Sequence, residues 1–306
     1  MIAWNATERA LLARLNDGSV ERSFVPARDV PWDGNTSREE WLALYRAWSL
    51  FPGSRFEAEF DDDARVNFAR YQQATLMLTT AMLERFGLPM LEDLLQMNGD
   101  REFVEYVGHF IKEETYHYVM FMRAVGKIEA EMPDLPPVPK ARIERLLKMT
   151  FRLLRLVPGR RFRTALSFTM FQFAEQVSVH AYGVSKDVVG RRDSFVPMVW
   201  ALHAVDEGRH LQFDRLLLEK LALSRVTRAV ARLAAVPFCA MATLAVHLNE
   251  AWAARTLGGS VRIWHFFSLL RAPVSPFKQR VVGLMREVVR SARAAPARVP
   301  QQDRES

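Results

Sequence analysis

His203-Ala204-Val205-Asp206-Glu207-Gly208-Arg209-His210 sets two imidazoles and a carboxylate four and then three residues apart. At 100° per residue, His203, Glu207 and His210 fall on one narrow face of a helix. Imidazole and carboxylate groups converging at one level form a donor set suited to a divalent transition metal. Burying them without a metal would leave several polar groups unpaired in a poor solvent for charge.

Working outward, Lys112-Glu113-Glu114-Thr115-Tyr116-His117 carries a second motif, in which Glu114 and His117 form a Glu-x-x-His pair. Glu207 with His210 repeats it. Between them, Glu175 sits in the otherwise apolar run Phe171-Gln172-Phe173-Ala174-Glu175-Gln176-Val177. A lone carboxylate there costs several kcal/mol or more unless it is compensated. Two Glu-x-x-His pairs on two helices, with single glutamates on the other two, are the ligand plan of ferritin-like bundles that hold two metal ions.

The rest of the chain suits such a bundle. Apolar residues recur at spacings of three and four, with no sustained alternation of period two, so the expected fold is all-α: a ferritin-like four-helix bundle with additional flanking helices. A short amphipathic helix is expected over Thr7 to Leu15, and Ser37 with Glu40 forms a capping box that starts another. The first bundle helix is expected from Asp63 to Phe86, where Gly87 and Pro89 interrupt it, with a separate helical stretch beyond them to Met97. Further bundle helices are expected from Asp100 to about Met132, from Arg161 to Val189 and from Ser194 to Leu221, with a helix from Lys140 to Leu156 after the Pro133 to Pro139 linker. The implied division is an N-terminal region over 1–60, a metal-binding helical domain over 61–294 with C-terminal covering helices, and a disordered tail over 295–306.

Composition bounds the chemistry. The 306-residue chain is 49% hydrophobic, enough for a sizeable core. Its single cysteine, Cys239, excludes an internal disulfide framework and any cysteine-rich zinc or iron–sulfur site, so a metal must be held by His and carboxylates. Met1-Ile2-Ala3-Trp4-Asn5 begins no secretory signal, and a cytoplasmic location is expected. The most apolar window, Leu233 to Leu248, is too short to span a bilayer and reads as a buried helix. A net charge of +7 suggests acidic partners, but no basic motif interleaved with aromatics points to nucleic acid.

In the order Glu114-x-x-His117, Glu175 and His203-x-x-x-Glu207-x-x-His210, the chain from about Arg65 to Leu221 resembles the p-aminobenzoate N-oxygenase type of non-haem di-iron enzymes. His203, an extra histidine beyond the common ferritin-like set, is the distinctive feature. The resemblance implies two iron ions, with manganese as the other candidate, dioxygen as co-substrate, and oxygenation of an arylamine nitrogen. It implies Glu114, His117, Glu175, His203, Glu207 and His210 as metal ligands and a further glutamate on the first bundle helix. An ungapped count back from Glu114 reaches Thr79, which is no strong ligand. Glu84 is the nearest carboxylate downstream, turned by about 140° from Thr79 on an ideal helix, so it needs a shifted register or a π-bulge to serve. Its alternative is a surface position beside Arg85.

Glu113, turned 100° from Glu114, is set aside together with His109, as are His180, His247 and His265. With no nicotinamide or flavin motif visible, electrons are expected from a ferredoxin or reductase. The substrate is expected to be a small molecule, free or on an acidic carrier protein, and a homodimer is a possible assembly. Two other readings use the same ligands: a di-iron hydroxylase or desaturase of an aliphatic substrate, and a degenerate metal-binding member without oxygenase turnover.

Overall fold

Two long helices with a short connector between them organise the chain: α4 (Asp62–Leu95) and α5 (Arg101–Ala130). A computed structural model describes residues 3–49, 51–97, 99–135, 137–189, 194–221, 224, 227, 230–237, 253–255, 257 and 276–293. Before α4 come α1 (Ala6–Glu21), the one-turn α2 (Pro26–Asp29), α3 (Arg38–Trp48) and a 3-10 turn at Glu57–Glu59. After α5 come α6 (Lys140–Arg155), α7 (Arg160–Val189), α8 (Phe195–Lys220) and α9 (Pro276–Arg293). Among the described residues there is no strand, and no helix is long and apolar enough to cross a membrane. The apolar window beyond Pro237, with Cys239 and His247, and also His265 and the tail 295–306, lies outside the described residues.

The short connectors make α4 with α5, and α7 with α8, antiparallel pairs, and the α5 and α8 contact closes them into a four-helix bundle. Local chemistry sets the helix starts. Asp61 accepts from the Ala64 amide, and the Ser37 and Glu40 capping box is present. Asn5 with Glu8 forms a second capping box, and α1 runs past the expected Leu15 to Glu21.

The largest departure from expectation is α4, which continues through Gly87 and Pro89 to Leu95. An interior proline costs about 3 kcal/mol through its missing donor and ring clash. Leu91 and Leu94 beyond it are buried against Phe103, Tyr106 and the α1 leucines. Each such burial is worth about 1.5–3 kcal/mol, enough together to offset the proline. Gly87 serves a contact: a Cβ there would lie 2.8 Å from Phe171 Cζ of α7.

The N-terminal helices pack onto the bundle. Gln72 donates to the Trp48 carbonyl at 3.2 Å and Asn16 to the Glu102 carbonyl at 3.0 Å, while inside the bundle Trp200 Nε1 of α8 donates to Gln73 Oε1 of α4 at 3.0 Å. α1 lies on α5 and α8, and α6 on α4 and α7.

Gly87→Ala gains about 1 kcal/mol of helix propensity but forces Phe171 to move in a packed site, an overpacking cost of about 1–3 kcal/mol. The expected result of urea denaturation is a net loss of up to about 2 kcal/mol. A variant more stable than the parent would show that Phe171 yields freely.

Candidate metal centre

Three imidazoles with no exposed surface, His117, His203 and His210, meet four glutamates at mid-bundle. His117 and Glu114 come from α5, His203, Glu207 and His210 from α8, Glu84 from α4 and Glu175 from α7. His203 Nε2 lies 2.6 Å from Glu207 Oε1 and 3.1 Å from Glu84 Oε1. His210 Nδ1 lies 3.1 Å from Glu114 Oε1 and 3.4 Å from Glu207 Oε2. His117 Nδ1 lies 3.8 Å from both Glu114 and Glu207. Two donor groups emerge, Glu84, His117, His203 and Glu207 in one and Glu114, Glu207 and His210 in the other, each with its donor atoms within 4.8 Å of one another. Glu207 belongs to both.

Glu84 thus reaches the cluster from an uninterrupted α-helix, without a π-bulge. Glu84 stands eleven residues before the end of α4, and Glu114 thirteen after the start of α5, so antiparallel packing brings them to one level. Thr79 sits farther along α4, its hydroxyl donating to the Thr75 carbonyl, and lines the adjoining cavity. Counting outward from the connector, rather than back from Glu114 without gaps, finds Glu84 in the sequence.

Glu175 lies outside both groups. It lines the same cavity as Glu84, Glu114 and Glu207, and its Oε2 has no hydrogen-bond partner. Burial, then the negative charges of Asp214 and Glu207, pushes its carboxyl well above the usual range. Asp214, fully buried on α8, is raised by burial and the same crowd of carboxylates.

The second face of each half-site holds residues that the sequence reading set aside or left without a role. Glu113 Oε2 lies 2.9 Å from His210 Nε2, and Asp206 Oδ2 lies 3.0 Å from His117 Nε2. Each acid directly precedes a ligand-type glutamate on its own helix and reaches the histidine of the other helix. Arg209 donates to Glu113 at 2.7 Å and also to Asp206. A carboxylate on the outer nitrogen of an imidazole fixes its tautomer and aims the inner nitrogen at a metal. Glu113, read as turned away, is therefore part of the site: 100° from Glu114 it faces α8 instead of the bundle axis.

Aromatic rings wedge the imidazoles. Phe110 stacks on His210 with centroids 3.7 Å apart, Phe24 on His117 at 6.0 Å, and Phe121 meets His203 edge-on at 4.8 Å.

Without metal, protons hold the cluster together. Burial disfavours a charged His117, but Asp206 and Glu114 outweigh it and raise the imidazole to about 10. His210 is likewise raised, against burial, by Glu113, Glu114 and Glu207. Glu207 is drawn well below the usual range by His203 and His210 despite its burial. His203 is lowered, chiefly by burial. The donor set fits two divalent cations: Glu84, Glu114 and Glu207 set three carboxylates among the imidazoles, Glu175 lines the adjoining cavity, and the inward Nδ1 atoms of His117 and His210 lack hydrogen-bond partners.

Bundle and donors define the class, a ferritin-like all-α protein with a carboxylate and histidine cluster able to bind metal. The chain belongs to the p-aminobenzoate N-oxygenase AurF family, whose model matches residues 5–264. It is 25% identical over 236 residues to the uncharacterized protein Rv0885 of Mycobacterium tuberculosis, and equally to the uncharacterized protein Mb0909 of Mycobacterium bovis. The match covers 74% of this chain and spans 65% of the length of those relatives. In fold it is similar to the R2-like ligand-binding oxidase, solved with an aerobically reconstituted Mn/Fe cofactor and again after photoconversion. The TM-score is 0.53 in both cases at 15% identity, over 91% of this chain and 91% and 92% of those chains.

Asp206→Asn and Glu113→Gln are expected to lower metal affinity by about 10–100-fold each, read by competition with a chelator. Unchanged affinity in both would sink the assignment. His117, raised above its ordinary 6.5, contributes stability to the metal-free chain that is complete below pH 6.5 and lost as pH climbs through about 10. Metal loading near pH 7 therefore releases protons, measurable by calorimetry in buffers of different ionisation enthalpy.

Proposed function

We propose that the chain is a non-haem di-iron oxygenase that places one atom of dioxygen on the nitrogen of an arylamine. The observation that carries this reading is the pair of donor groups sharing Glu207, set beside a cavity in a protein of the N-oxygenase family. Glu84, Glu114, His117, Glu175, His203, Glu207 and His210 would hold the metals, iron by family and manganese as the other candidate. When bound, the metals supply the electrons and the Lewis acidity that dioxygen reduction requires.

The chain's own groups do the rest. Asp206 and Glu113 hold the imidazoles in one orientation, and Arg209 ties both acids together across α5 and α8. Leu76, Leu83, Leu91, Phe110 and Phe171 line the cavity beside Glu84 and Glu114. The cavity offers about 90 Å³ to the centres of water molecules, room for several waters, so a substrate ring needs the walls to give way. These apolar walls disfavour water at the reacting face. In this reading electrons come from an external ferredoxin or reductase.

Several aliphatic lining residues, among them Leu76, Leu83 and Val177, favour hydroxylation or desaturation of an alkyl group as a second reading. The test is iron-loaded chain, a chemical reductant and dioxygen, with aniline, 4-aminobenzoate and an alkylbenzene as probes, followed by mass spectrometry. Arylamine products with oxygen on nitrogen are expected, and His203→Ala should lose metal from one half-site and abolish turnover. Oxygen uptake with only carbon-oxidised product would establish the second reading. Two bound metals that never consume oxygen would make the chain a metal-binding protein without turnover.

A further inference from the structure

The outer face of α6 carries a stripe of aliphatic side chains in water. Leu146, Met149, Leu153 and Leu156 are 37%, 54%, 52% and 78% exposed, and on a helix they fall within about 80° of one another. Exposed Arg145, Lys148, Arg152 and Arg155 run along one side of the stripe, and exposed Arg142 stands at its N-terminal end. The lone acid of the helix, Glu144, is paired with Arg85 at 3.7 Å. On the opposite face Ile143, Phe151 and Leu154 are buried, which fixes the helix to the protein.

α6 also lies over the metal-centre turn of α4. Phe151 stacks on Phe86 with centroids 5.9 Å apart, and Glu144 meets Arg85, the residue after Glu84. The stripe is thus on the surface above the turn that brings Glu84 to His203.

We infer that the exposed face of α6 is the docking surface for a small acidic electron-carrier protein. An aliphatic stripe bordered on one side by cations matches a partner with a small apolar patch beside a row of carboxylates, and the like charge of that border disfavours a second copy of this chain. The large apolar side chains exposed among the described residues include no Trp or Phe, the aromatic component that helices lying in lipid headgroups carry beside Leu. The inference rests on the oxygenase reading, which needs electrons from outside the chain, but the surface is tested by binding alone.

The probe is an acidic plant-type [2Fe–2S] ferredoxin, titrated by calorimetry into the metal-loaded full chain at low and physiological salt. Binding should weaken at least tenfold with salt. It should also weaken at least tenfold in the Met149→Glu/Leu153→Glu and Arg145→Glu/Arg152→Glu double variants, with helicity and metal content unchanged. No binding by the parent, or equal binding by parent and both variants, overturns the proposal. So does parent co-sedimentation with phosphatidylglycerol vesicles that both variants lose, which assigns the face to a membrane surface. So does a parent dimer in sedimentation velocity that Met149→Glu/Leu153→Glu dissociates. Ferredoxin binding at the stated affinity ratios in a chain that consumes no oxygen leaves the surface standing and removes the oxygenase reading.

Discussion

Six carboxyl side chains, Glu113, Glu114, Glu175, Asp206, Glu207 and Asp214, are buried within one bundle, and a seventh, Glu84, reaches in from α4. Each would be costly to keep ionised alone, so their charge has to be compensated locally. Arg209 supplies one permanent positive charge between Glu113 and Asp206, and when metal is absent His117 and His210, both raised by the carboxylates around them, add to it. The helix contacts that close the bundle are thereby tied to the same few atoms. α5 and α8 cannot slide past one another without uncoupling both crossed acid and imidazole pairs.

Much of this was legible in the sequence because helical period and ligand spacing are local. His203, Glu207 and His210 share a face by spacing alone, and so do Glu114 and His117. Glu84 was not, because the match between positions on α4 and α5 depends on where the connector falls and on a helix that runs on through Pro89. Its proline is sustained by leucines that touch α1 and α5, and those contacts are invisible to local pattern. Glu113 was missed for a different reason. A bundle helix faces two neighbours, so a residue turned by 100° from the bundle axis can point at the next helix and not at solvent.

Glu175 and Asp214 show the same physics in the opposite direction. Burial and neighbouring carboxylates push both carboxyl groups up, whereas His203 and His210 draw Glu207 down despite its burial. Carboxyl groups of one chemistry are thus pushed in opposite directions by their neighbours: Glu207 meets two imidazoles, whereas Glu175 and Asp214 are crowded by other carboxylates.

Gly18 of α1 gives the arrangement a boundary. A Cβ at that position would come within 3.2 Å of Arg209 Cδ, so the N-terminal helix lies directly on the guanidinium stem. The four long helices are accordingly not the smallest unit that keeps this centre dry. A fragment trimmed to the bundle would open Arg209 and its two acids to water, and the sequence ahead of α4 has to be counted as insulation for the site.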